Sequence, residues 1–437
     1  MTQTLIRGAT LPDGTRADLG MRAGLLVDPQ DLDASATVVD ADGLLALPGL
    51  VDMHTHLREP GREDAETVLT GSRSAAAGGF TAVHAMANTS PVADTAGVVE
   101  QVHRLGRDAG YTQVRPVGAV TVGLAGETLA ELGAMADSAA RVRMFSDDGH
   151  CVWDPLVMRR ALEYVKAFDG IIAQHAQDPR LTEGAQMHEG TVSAELGLPG
   201  WPAVAEEAII ARDVLLAEHV GSRLHVCHVS TAGSVDLIRW AKARGIRVTA
   251  EVTPHHLILT DEEVRSFDPV FKVNPPLRTD EDVRALREGL ADGTIDVVGT
   301  DHAPHPAEHK CVEWTAAAMG MVGLESALAV VTHAMADHDF SHQDLARVMS
   351  ERPAAIMGLG HHGALARGTG ANVVLVDPSA AHVVDPETHQ TMGRNNPFRG
   401  RTLGARVTDT FLFGTRVYAD GAPGEPLAFG EAGPWND

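Results

Sequence analysis

Two histidines flank one residue in the run LPGLVDMHTH, at positions 54 and 56. The residues before them are largely apolar and predict a buried strand over 47–56. On a strand, residues i and i+2 point to the same face, so His54 and His56 aim at one point. Converging imidazoles are metal ligands, zinc above all. An H-x-H also occurs in ordinary surface loops, so its meaning depends on what the rest of the chain brings to the same place.

Further residues of the same kind are present. Asp147 and Asp148 stand in FSDDG, His175 in AQHAQD, His228 in CHVST and Asp301 in GTDHAPH. Each lies toward the end of a strand-like run with an apolar start: 142–148, 171–178, 224–230 and 295–305. Three more runs, 80–89, 114–121 and 246–257, bring the count with 47–56 to eight. Between them lie stretches with helical spacing, such as ADTAGVVEQVHRLGRDAG and DPLVMRRALEYVKAFDG. Eight such units predict an α/β fold, a (β/α)8 TIM barrel, with its reactive residues at the C-terminal ends of the strands. On that frame four histidines, Asp301 and one of the two strand-four aspartates meet at one rim. Singly, each could be a cap or a buried polar residue. Together they make an N,O donor set that suits zinc, with room for two ions if one carboxylate bridges them.

The two ends of the chain have a different rhythm. Residues 1–46 and 366–437 read as short strands and turns, as in TLIRGATLPDG, ANVVLVDP and RVTDTFLFGTRVYADG. We expect them to meet as the N- and C-terminal parts of one small β-sandwich domain, beside a catalytic barrel over 47–365.

Composition narrows the function. The chain has 437 residues, 44% of them hydrophobic, enough for a large core. A formal net charge of −24 disfavours nucleic acid and anionic membrane as partners. No apolar run reaches the ~20 residues of a membrane span, and MTQTLIRGATLPDG lacks the pattern of a secretory signal. The three cysteines, Cys151, Cys227 and Cys311, are far apart, which suits a reducing cytoplasm and speaks against a thiolate zinc site. An anionic small substrate stays compatible with this surface, provided that cations are supplied locally.

The segments DMHTHLREPG, AMANTSP, FSDDG, CHVST, VTPHHL, NPPLR, GTDHAPH and GLESA, with RNNPFRGRTL after them, resemble the class I bacterial dihydroorotases of the amidohydrolase superfamily. The resemblance covers most of the chain, and the order and spacing of the segments make it specific. It implies the metal ligands His54, His56, Asp148, His175, His228 and Asp301, holding one or two Zn2+ ions, two being favoured. Many relatives bridge two metals with a carboxylated lysine on strand four. Here the only lysine between His56 and His228 is Lys166, in helical sequence, so an aspartate must take that place. The family pattern makes it Asp148, with Gly149 allowing the turn to come close.

The resemblance also implies substrate contacts at His56, Arg58, Asn88, Asn274 and His305 and at the backbone of Met319 and Gly320. Arg58 suits a bidentate carboxylate clamp, although alone it would read as a surface ion pair. Asn88 and Asn274 can donate to a carboxylate or ring amide, although Asn commonly caps turns. His84, His225, Cys151 and Cys227 read as packing or supporting residues, as do His255 and His256; Arg278 reads equally well as a structural ion pair.

The implied reaction is reversible hydrolysis of dihydroorotate to N-carbamoyl-aspartate, with Asp301 moving the proton. Hydantoinase or allantoinase activity is the nearest alternative. A non-catalytic scaffold for aspartate transcarbamoylase is another, but such chains have lost ligands that are all present here. A complex with that transcarbamoylase is compatible with activity, and a homo-oligomer is expected.

Overall fold

Eight short parallel strands carry the residues singled out above. The computed structural model describes residues 3–419, 421–430 and 433–435; the outermost residues of the two terminal segments, 1–2 and 436–437, lie outside the described residues, as do 420 and 431–432. Strands β1 (Leu50–Thr55), β2 (Phe80–Ala85) and β3 (Gln113–Pro116) form one parallel sheet in chain order. Strands β4 (Met144–Phe145), β5 (Ile171–Gln174), β6 (Arg223–Val226), β7 (Val248–Val252) and β8 (Val297–Val298) form a second, also in chain order. Isolated parallel bridges connect their edges: Gly118 with Phe145, and Thr55 with His302.

All of β1 and β2 is buried, as expected where a parallel sheet is covered on both faces. The covering helices include Ala96–Ala109, Pro155–Val165, Val204–Val220 and Asp280–Asp292. Their starts are capped by local chemistry. Asp154 accepts from the N–H groups of Leu156 and Val157, and Thr279 and Asp282 form a reciprocal capping box. Strands β4 and β8 are only two residues long, because the chain leaves the ladder at once to form the turns that hold Asp148 and Asp301.

The run 47–56 is two strands rather than one, broken at Gly49. Leu45–Pro48 pairs antiparallel with Val373–Val383, in the register Leu45 to Val376 and Pro48 to Val373. Both chain ends thereby enter one nine-stranded sheet, with Gln3–Thr10 and Thr402–Leu412 among its members. Ile6, Met21, Val373, Leu375 and Phe411 form its apolar core. Among the described residues no helix is long and apolar enough to cross a membrane.

Candidate metal centre and active site

The end of β1 and the turns after β1, β4, β5, β6 and β8 bring all six expected ligands together. His56 Nε2 lies 2.9 Å from Asp301 Oδ1 and 3.3 Å from Asp148 Oδ2. His54 Nε2 lies 3.4 Å from Asp148 Oδ1 and 3.5 Å from Asp301 Oδ1. The same Asp148 Oδ1 lies 3.2 Å from His175 Nδ1 and 3.3 Å from His228 Nε2. These side chains are all buried. Three site residues other than glycine have positive φ: Arg58 (63°), His228 (31°) and Asp301 (47°). Such strain is held only where surrounding structure enforces it, and it gathers at functional sites.

The imidazoles are oriented from behind. Glu251, on β7, lies 2.5 Å from His54 Nδ1, so Nε2 is the nitrogen turned to the cluster. The same carboxylate accepts from the His228 backbone N–H and lies 3.2 Å from His225 Nε2. His56 Nδ1 faces Asn88 Oδ1 at 2.9 Å, and His175 Nε2 faces Gln177 Oε1 at 2.8 Å. Asp52 accepts from the N–H of His54 (3.0 Å), the N–H of Thr300 (3.1 Å) and the Thr300 hydroxyl (2.5 Å), which ties the end of β1 to the end of β8.

The two strand-four aspartates point to different tasks. Asp148 enters the cluster; Asp147 turns away and accepts from the N–H groups of Val120 and Thr121 and from the Thr121 hydroxyl. Gly149 follows at φ 86°, as a close turn beneath the cluster requires. Lys166 lies elsewhere, donating to the carbonyl of Val220.

The residues expected to meet substrate are placed as follows. Arg58 is buried, donates from Nε to Pro304 O, and has its pKa lowered to about 10, chiefly by burial. Asn274 donates to Gln177 Oε1 (3.1 Å), while its own Oδ1 is buried without a partner. His305 donates from Nε2 to Met319 O (2.8 Å), and its Nδ1 is buried without a partner. Gly320 sits at φ 143°, and a Cβ there would come within 2.7 Å of His305 Nε2. Its N–H donates to Lys272 O. Asn88 holds His56 through its carbonyl oxygen.

Electrostatics and donor chemistry both fit a cation. Burial works against charge on Asp148, yet His54, His175 and His228 outweigh it and hold the carboxyl well below its ordinary range. Asp301 is likewise pulled to about 2, against its burial, by the hydrogen bond from His56 and the charge of His54. Asp148 and Glu251 in turn raise His54 despite its burial. Carboxylates in this cluster therefore draw positive charge onto imidazoles. A divalent ion would supply that charge and leave the rings neutral as ligands. His54 Nε2 is buried with no hydrogen-bond partner, the mark of an atom placed for such an ion. Two sets of donors close enough for one ion each, His54–His56–Asp148 and Asp148–His175–His228, share Asp148.

Glu251, Asp52 and Gln177 were not singled out from the sequence. Glu251 carried a usable signal: a lone carboxylate inside the apolar strand VTAEV, which burial forbids without a partner. Cys227 lies against His54 and Glu251 inside the wall of the centre, where burial pushes its thiol pKa up. Arg278, nearly fully buried, donates to Trp201 O and Ser230 Oγ and braces loops rather than entering the cluster.

Comparison with known proteins identifies the family. Residues 43–234 match the family model described as dihydro-orotase-like. A dihydroorotase of Leifsonia xyli is 67% identical over 96% of this chain and 96% of its own. One from Streptomyces coelicolor is 64% identical, covering 96% and 99%, and one from Mycobacterium tuberculosis 53%, covering 95% and 98%. Among solved structures, the L-hydantoinase (dihydropyrimidinase) from Arthrobacter aurescens aligns over 99% of both chains with a TM-score of 0.88 at 26% identity. A dihydropyrimidinase from Brevibacillus agri, at 21% identity and a TM-score of 0.81 over 98% of this chain and 97% of its own, shares the fold.

Proposed function

The chain belongs to the dihydroorotase family, and from that premise we propose how its centre works: as a zinc-dependent cyclic amide hydrolase in which His54, His56, Asp148, His175, His228 and Asp301 would hold two ions, with Asp148 common to both donor sets. The reaction is the reversible interconversion of (S)-dihydroorotate and N-carbamoyl-L-aspartate in de novo pyrimidine biosynthesis. One observation carries the two-ion reading. Asp148 Oδ2 faces His56, while Oδ1 faces His175 and His228 as well as His54, so one carboxylate touches both donor sets. His54, His56 and Asp301 complete one set, and His175 and His228 the other. When bound, zinc supplies Lewis acidity that lowers the pKa of water and polarises the scissile carbonyl.

The protein's own groups do the rest. Asp301, ionised and at the rim, accepts the proton of the attacking water and returns it to the leaving amide nitrogen. In cyclisation it takes the proton from the ureido nitrogen and passes it to the departing hydroxide, which leaves as water. Arg58 clamps the substrate carboxylate. Asn88, Asn274, His305 and the Met319–Gly320 backbone fix the ring. Partnerless Asn274 Oδ1 and His305 Nδ1 support that assignment, because each is a buried polar atom that a substrate group can satisfy.

We read the eight parallel strands as a closed (β/α)8 barrel, supported by the two bridges at the sheet edges. The terminal sheet is read as folding over its apolar core into a sandwich. Free cysteines at 151, 227 and 311 suit a cytoplasmic enzyme.

A hydantoinase reading draws on the structural likeness alone. Against it stand the sequence identities, Arg58 beside the centre, and Asp148 where such enzymes use lysine. Rates on dihydroorotate, hydantoin and allantoin decide between them. We expect a preference for dihydroorotate of about 100-fold or more, since a buried carboxylate clamp rejects substrates that leave it unpaired. Comparable rates on hydantoin would overturn the assignment.

A further inference from the structure

We propose that Lys310 and Asn395 are positioning residues that fix the Met319–Gly320 backbone and the His305 ring for substrate. The inference rests on the reading of those three residues, with Asn274, as the substrate wall.

Lys310 is buried, and its ammonium donates to three carbonyls: Ala318 (2.9 Å), Lys272 (3.1 Å) and Gly320 (3.1 Å). Three N–H donors meet three acceptors. The Lys272 carbonyl also accepts from the Gly320 N–H (2.9 Å), two residues before Asn274. Lys310 therefore joins the Asn274 segment to the Met319–Gly320 loop. Asn395 comes from the far end of the chain. Its Nδ2 donates to Ala303 O (2.9 Å) and Gly320 O (3.0 Å), and its Oδ1 accepts from the His305 N–H (3.3 Å). The Gly320 carbonyl thus receives two donors, one from each residue. That double anchor holds the peptide at φ 143°, where only glycine leaves room for the His305 ring. His305 Nε2 then donates to Met319 O and completes the lock.

Burying an ammonium is costly, and an apolar side chain would fill the space more cheaply. Burial lowers the Lys310 pKa to about 7, with the charge of Lys272 adding to the effect.

The test uses the full-length, zinc-loaded enzyme with Lys310→Met, Lys310→Gln, Asn395→Ala and His305→Ala, assayed with carbamoyl-aspartate. For Lys310→Met and Asn395→Ala we expect KM to rise about tenfold or more and kcat to fall less than about threefold, with bound zinc unchanged. Lys310→Gln, which keeps two donors, should recover part of the loss, and it carries the test if Lys310→Met does not fold. An unchanged KM in folded variants would overturn the inference, as would parallel losses of kcat and zinc, which mark a merely structural role. If His305→Ala raises KM while the others do not, the positioning role alone fails. If His305→Ala also leaves KM unchanged, the substrate-wall reading itself fails.

Discussion

Glu251 Oε1 lies 2.5 Å from Nδ1 of His54, with both groups buried. The contact fixes which nitrogen of His54 faces the centre, and it raises the basicity of that nitrogen. It also explains a carboxylate in the middle of an apolar strand. Glu251→Gln keeps the shape but removes the charge. We expect zinc affinity to fall about 10- to 100-fold, with much of the activity returning at saturating zinc. Competition against a chromogenic chelator measures it; unchanged affinity would remove Glu251 from the account.

Asp301→Asn tests the proton carrier. The amide cannot take the proton, while five of the six ligands remain. Turnover should fall by about 10²- to 10⁴-fold, with most of the zinc retained. Steady-state rates in both directions, with metal analysis of the same sample, check this. Near-normal rates would exclude Asp301 from proton transfer.

Arg58→Ala tests the clamp. A hydrogen bond to a charged group contributes roughly 1.5–3 kcal/mol, so kcat/KM for dihydroorotate should fall about 10- to 100-fold. The loss should be smaller for dihydrouracil, the same ring without the carboxylate. Equal losses on both substrates would mean that Arg58 serves the fold rather than the carboxylate.

His84 gives a pH dependence from a residue outside the six-residue cluster. It lies 2.8 Å from the Asp52 carbonyl, and burial lowers its pKa to about 4. The unfolded chain, with an ordinary histidine value of about 6.5, binds the proton more readily over that interval. The stability contributed by neutral His84 is therefore fully present above about pH 6.5 and declines as pH falls toward 4. By pH 5 the loss amounts to about 2 kcal/mol. Urea unfolding at pH 7.5 and pH 5 should show the wild type losing more stability than His84→Gln by that amount. Equal losses would contradict it.

Much of this molecule is legible in its sequence, for physical reasons. Parallel strands buried on both faces must be apolar, so β1, β2, β5, β6 and β7 stand out from the helices around them. Side chains that converge at the rim must stand at the ends of such strands, so His54, His56, His175 and His228 are visible where the apolar run stops. What supports them is harder to see, because it depends on contacts across the chain. Glu251 meets His54 across 197 positions, and Thr300 meets Asp52 across 248. Asn395 reaches the carbonyl of Ala303 from the terminal segment. The break at Gly49 is hidden for a different reason: the apolar run continues from LALP into LV, both segments are fully buried, and only their pairing partners differ.

Zinc content and carbamoyl-aspartate cyclisation, measured on one sample before and after chelation, bear most directly on the bridged centre. The account predicts about two zinc ions per chain, loss of activity on chelation and recovery when zinc is returned. Full activity in metal-free protein would contradict it.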